Sequence, residues 1–132
     1  MPHEIAGDAG EWLRKARRDL QAAERLSVGD DPLFDVAVYH CQQAAEKALK
    51  GYLTYHASAF EKTHSLPMLL WQARDLDAGL DSFVESAEFL NPFATRFRYP
   101  GGRLEPDADE AHAAMARARG IIVAIEQRLM NA

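Results

Sequence analysis

Three arginines, Arg96, Arg98 and Arg103, fall within eight residues that contain no acid, and Phe93, Phe97 and Tyr99 stand among or just before them. A guanidinium is a planar fork of donors that matches phosphate oxygens, and an aromatic face can stack a nucleobase. Asp75, Asp77, Asp81, Glu85 and Glu88 precede this stretch and Glu105, Asp107, Asp109 and Glu110 follow it, so a basic island lies in an acidic region. Lys47, Lys50 and His64 are companions that a fold could bring to it. The pattern is that of an anion site. The same residues also admit a structural reading: Phe93 and Phe97 closing the end of a bundle, Tyr99-Pro100 as a packed turn, and the arginines paired with the neighbouring acids.

Other chemistries lack their residues. Di-iron centres in helical bundles use inward glutamates and paired Glu-x-x-His motifs on two helices. Here the one Glu-x-x-His, Glu61 to His64, lies in a connector without a second copy, and no metal or other cofactor is expected. Phosphate-loop, dinucleotide-turn and nucleophile-elbow motifs do not occur. Cys41 is the single cysteine and falls on an apolar helical face, which marks it as a small packed hydrophobe. His40 reads as a buried histidine bonded to a neighbouring helix.

These groups must be positioned by helices, since strand-like alternation is absent. Leu13, Ala16, Leu20, Ala23 and Leu26 mark an amphipathic helix over 9–26, with Asp8 as N-cap; its basic group Arg14, Lys15, Arg17 and Arg18 is interleaved with Glu11 and Asp19 and reads as a solvated face. Asp31-Pro32 predicts an N-cap and first-turn proline for a second helix over 32–56. In it Ala37, Cys41, Ala44, Ala45, Ala48, Leu49 and Tyr52 recur at three- and four-residue steps, the small-residue face of a central helix. On its other faces Gln42, Gln43, Glu46, Lys47 and Lys50 predict a solvated surface, with Glu46 able to pair with Lys50. Thr63 or Ser65 should cap a short third helix carrying Leu66, Leu69, Leu70 and Ala73. Leu80, Phe83, Val84, Ala87 and Leu90 suggest a fourth, with a turn or kink at Asn91-Pro92. Ala111, Ala114, Met115, Ala118, Ile121, Ile122, Ile125 and Leu129 define a fifth. The expected fold is all-α, an up-down bundle of four to five helices in which the third flanks the first, second, fourth and fifth.

The 132 residues suit one domain spanning 1–132, and a hydrophobic fraction of 48% with 27% charged residues is that of a globular chain. A net charge of −5 argues against broad adhesion to nucleic acid but leaves room for a local anion site. No apolar run approaches the ~20 residues that span a bilayer, and residues 1–8 lack a secretory pattern, so a cytoplasmic location without membrane contact is expected.

Four segments in order, Glu11-Trp-Leu-Arg-Lys-Ala-Arg-Arg-Asp-Leu, Tyr39-His-Cys-Gln-Gln-Ala-Ala-Glu-Lys-Ala-Leu-Lys, Thr63-His-Ser-Leu and Arg98-Tyr-Pro, resemble the HEPN domain family, named for nucleotide binding in higher eukaryotes and prokaryotes. The resemblance implies a helical bundle that dimerises. In prokaryotes such domains are frequently encoded or fused with a minimal nucleotidyltransferase as a toxin–antitoxin-like pair. Ribonuclease members carry an arginine followed after about four to six residues by a histidine, and no such pair exists here: His112 lies nine positions after Arg103. A metal-independent ribonuclease site therefore does not carry over. The chain looks instead like the branch with the Arg-Tyr-Pro loop. That likeness implies a non-catalytic module, acting as a homodimer with a separate nucleotidyltransferase, that binds a nucleotide such as ATP or GTP. Arg98, Tyr99 and Arg103 would be its first contacts, with Arg96, Lys47 and His64 behind them. The alternatives are an RNA-cleaving toxin with a non-standard site using His40, His64 or His112, and a helical adaptor for another protein.

Overall fold

A computed structural model describes residues 5–60, 62–100 and 105–132. Helix α1 runs Gly7–Leu26, α2 Phe34–Tyr55, α3 Leu66–Leu76, α4 Val84–Leu90 and α5 Ala108–Met130. A 3-10 turn at Ala78–Phe83 leads into α4 and another at Asn91–Ala94 follows it; no strand occurs among the described residues.

Helix α2 is the axis of the bundle and packs against all four other helices. Ala37, Cys41, Ala44, Ala45 and Ala48 are fully buried, and their small side chains let α1 and α5 come close on either side. At Gly51 a Cβ would stand 3.0 Å from Trp12 Cβ and 3.3 Å from the Ala9 carbonyl oxygen, so α1 crosses α2 where the side chain is smallest. Helix α5 supplies the bulk: Ile121, Ile122 and Ile125 are buried with Leu49, Leu53 and Leu70 in one continuous core. Each such side chain contributes about 1.5–3 kcal/mol on burial.

Helix α3 flanks the bundle as expected and is packed firmly against it. Leu66, Leu69 and Ala73 have no exposed surface, α3 touches both α2 and α4, and the two short helices together close the fourth side. The fourth helix is shorter than its apolar spacing suggests, because the chain winds as a 3-10 turn through Phe83 and only then as α-helix. At Asn91-Pro92, where the proline lacks the donor that would continue the α-helical ladder, it gives way to a further 3-10 turn. The Asn91 side-chain oxygen there accepts the Leu66 backbone N–H at 3.0 Å and so fastens the start of α3.

Two of the expected caps are absent. Helix α1 begins at Gly7 behind Ala6, with Asp8 inside its first turn rather than capping it, and α2 begins at Phe34 behind Leu33, leaving Asp31 and Pro32 in the preceding loop. Neither helix has a side-chain cap. In contrast, Ser65 Oγ accepts the Met68 N–H of α3, and Asp107 Oδ1 accepts the Glu110 N–H of α5. The end of α2 reverses sharply. Ala57 adopts φ 53°, its N–H donates to the Thr54 carbonyl, and the Ser58 N–H donates to the Leu53 carbonyl. This is the Schellman pattern, with alanine where glycine is usual. It sends the connector back toward the middle of α2, where Gln42 Nε2 donates to the His64 carbonyl.

Candidate functional site

At 100° per residue, Tyr39, Gln43, Glu46 and Lys50 lie in line along α2, His40 and Lys47 turn toward α1, and Gln42 turns the other way. The loop after the second 3-10 turn reaches the Tyr39 end of this line. Arg98 places its guanidinium carbon 4.3 Å from the Tyr39 ring centre and 5.7 Å from that of Tyr99. Arg98 and Tyr99 are both exposed, Tyr99 to 67%. Among the described residues no carboxylate pairs with Arg98 or Arg96. Arg96 instead lies over Phe93 and Phe97, at 5.8 and 6.0 Å from their centres. Phe93 is buried and stacks on Phe97 at 6.0 Å, so these two rings do close the end of the bundle. Arg103 lies outside the described residues.

Lys47 joins this surface with its charge already met. Its Nζ donates to Asp19 Oδ2 at 2.6 Å, while Asp19 Oδ1 stands 2.8 Å from His40 Nδ1. The His40 ring meets Tyr39 edge to face at 5.5 Å. Tyr99, Arg98, Tyr39, His40, Asp19 and Lys47 therefore form one connected path across α1, α2 and the loop. Among the described residues Arg98 is its unpaired cation, and an exposed guanidinium between two tyrosines can hold a phosphate while a ring stacks a base. His40 bonds a neighbouring helix as its position suggested, but it is half-buried rather than buried.

The solvated surface expected for Gln42, Glu46 and Lys50 is contradicted. All three are buried, because the chain returning from α2 covers them. Glu46 Oε2 accepts from Lys50 Nζ at 3.0 Å; Oε1 accepts from Gln42 Nε2 at 3.3 Å and bonds His64 Nδ1 at 2.9 Å. Gln42 Nε2 also donates to the His64 carbonyl at 3.0 Å, and Gln43 Nε2 to Gln42 Oε1 at 2.7 Å. The ammonium of Lys50 lies 5.7 Å from the centres of both Trp12 and Phe60. No buried side-chain donor or acceptor among the described residues is left without a partner. His64 belongs to this cluster rather than to the Arg98 path. Its backbone and Nδ1 are tied down, while its side chain is 73% exposed.

Three residues important here carried little signal in the sequence. Tyr39 was visible only as the first residue of the second-helix motif, Asp19 as one acid within a basic helix, and Glu46 as a surface partner of Lys50. The four-residue steps Gln42-Glu46-Lys50 on a helix with apolar residues on most faces could have pointed to burial. Cys41 is fully buried, and burial pushes its thiol up to about 12, which leaves it inert as a nucleophile. Among the described residues no three His, Cys, Asp or Glu side chains gather as a metal site. None of the described helices is long and apolar enough to cross a membrane. An open cleft of about 640 Å³ between the connector and α3 is lined by Phe60, Thr63, Pro67, Met68 and Trp71, and exposes Trp71 to 64%.

Comparison with known proteins adds the family. The model of the HEPN domain matches residues 9–128. The crystal structure of TT1696 from Thermus thermophilus is 31% identical, covering 92% of this chain and 98% of its own, with a TM-score of 0.77. That of ST0689, described as an archaeal HEPN homologue, is 25% identical over 94% of this chain and 99% of its own, with a TM-score of 0.74. No curated protein matches the chain in sequence. With the family's pattern running from α1 almost to the end of α5 and the same bundle recurring in both structures, the chain belongs to the HEPN domain family.

Proposed function

We propose that this HEPN domain is a non-catalytic nucleotide-binding module, taking a nucleoside triphosphate such as ATP or GTP at the Arg98 path. It works as a homodimer with a separate minimal nucleotidyltransferase in a toxin–antitoxin-like pair. The observation that carries the reading is Arg98, exposed between Tyr39 and Tyr99 and without a carboxylate partner among the described residues. A guanidinium so placed keeps its donors available for phosphate, and the exposed Tyr99 ring offers a face to the base. The chain's acidic balance suits a small, locally recognised anion better than a long phosphate backbone. The partnership with a nucleotidyltransferase rests on the likeness of the Arg-Tyr-Pro loop.

A thermal-shift screen against nucleoside mono-, di- and triphosphates and a short RNA tests the module. A ligand at about a hundredfold its Kd that binds only the folded chain adds about 2.7 kcal/mol. A shift with one nucleotide class, lost in Arg98→Ala, is the expected result. No shift with any nucleotide overturns the reading. The exposed Trp71 and Met68 beside the α3 cleft favour the adaptor as the second reading. In that case Trp71→Ala, rather than Arg98→Ala, would abolish capture of the partner.

A further inference from the structure

We propose that His64 is a phosphoryl acceptor, a surface imidazole whose Nε2 takes a phosphoryl group while the buried Glu46 carboxylate holds its Nδ1 proton. The inference goes beyond the nucleotide reading and uses none of the residues of the Arg98 path.

Glu46 already accepts from Lys50 and Gln42, which marks it as the acceptor in its 2.9 Å contact with His64 and makes Nδ1 the donor. With the proton on Nδ1, the lone pair sits on Nε2. The ring's orientation is fixed by Glu46, the backbone of His64 by Gln42, and the side chain is 73% exposed, so the nucleophilic nitrogen is both held and open to solvent. The Glu46 carboxylate is 4% exposed, and Lys50 and Gln42 keep it in place. Lys62, exposed and two residues before His64 in sequence, supplies a positive charge for an anionic electrophile.

The step balances without a redox partner. The Nε2 lone pair forms a bond to phosphorus, and the bond from phosphorus to the donor's leaving group breaks with its electron pair. For phosphoramidate, whose nitrogen is already protonated, the leaving group is ammonia. The ring then carries a positive charge with its proton on Nδ1, facing Glu46, and the carboxylate stabilises it. A purely structural anchor would need only a donor at the Nδ1 position, which an asparagine can supply.

The experiment treats the folded protein with phosphoramidate and follows acid-labile phosphorylation at each of the five histidines by peptide mass mapping. His64 should react about tenfold or more faster than His56 and His112, which are exposed and have no carboxylate on the ring among the described residues. His64→Asn should remove that fast label and leave thermal unfolding unchanged, and Glu46→Gln should slow labelling toward the rate of the other histidines. Equal rates at His56, His64 and His112, or a fast label that survives His64→Asn, would overturn the proposal. Both readouts remain available if Glu46→Gln fails to fold. An ATP arm asks whether a bound nucleotide is itself the donor. Label from phosphoramidate but not ATP, or from both, supports the acceptor, and label from neither refutes it.

Discussion

Replacing Glu46 by alanine should be among the most damaging single changes to this bundle, although a helix position between Ala45 and Lys47 looks superficially tolerant. The substitution removes the acceptor of Lys50, whose side chain is 10% exposed, and also the acceptor of the His64 ring that holds the connector to α2. Stripping one partner from a buried ion pair costs about 3–5 kcal/mol. Lys50 keeps the faces of Trp12 and Phe60 at 5.7 Å, near the limit of such contacts and worth about 0.5 kcal/mol each, and the total of about 1 kcal/mol lowers the expected loss to about 2–4 kcal/mol. For a domain of this size the loss corresponds to a fall in Tm of roughly 8–15 °C. Urea unfolding followed by far-UV circular dichroism measures it. Lys50→Met, which removes the charge and retains the stem, should cost less because His64, Gln42 and Gln43 still serve Glu46. The two substitutions together should fall short of the sum of their separate costs by about 1 kcal/mol or more. A Glu46→Ala loss below about 1 kcal/mol, or simple additivity, would refute the claim that the α2 cluster is a coupled buried network.

Two further outcomes concern stability away from the site. Asp77, at the start of the first 3-10 turn, is held below its usual 3.8 chiefly by the Arg128 hydrogen bond at 2.7 Å and then by the Gly79 N–H. A depressed carboxyl gives stability that is complete above about pH 3.8 and disappears as pH falls through the folded value. The stability gap between the wild type and Arg128→Gln should therefore narrow in urea titrations below about pH 3.8, and a constant gap would contradict the pairing. Ala57→Gly should stabilise by about 0.5–1 kcal/mol, because alanine occupies the left-handed position of the α2 stop. A loss of stability in the same measurement would show that this turn is not the strained point.

Much of the scaffold was legible because burial follows apolar spacing. Ala111, Ala114, Ala118, Ile121, Ile122, Ile125 and Leu129 recur at helical steps and all are buried along α5. A cap at Thr63 or Ser65 was readable for a similar local reason, and Ser65 supplies it. The burial of Gln42, Glu46 and Lys50 was not, because on a helix a glutamate four residues before a lysine is also the pattern of a solvated pair. What decides between the two is a connector that doubles back, and that depends on the Ala57 turn, an alanine with no glycine signature. The division of residues 78–94 into two 3-10 turns around α4 was hidden because Leu80, Phe83 and Leu90 face the core whichever winding the chain takes. At the candidate site, the basic island pointed to Arg98 but not to its Tyr39 neighbour, which is brought there by packing across 59 residues of chain. Asp19 likewise meets Lys47 only because α1 lies along α2.

The most direct test of the nucleotide-binding account is isothermal titration of the wild type and Arg98→Ala with the nucleotide that gives the largest thermal shift. If Arg98 is the phosphate contact, the variant should keep its helix content and bind about tenfold or more weakly, a difference of at least about 1.4 kcal/mol. Equal affinity in the two proteins would contradict the assignment of the Arg98 path as the site.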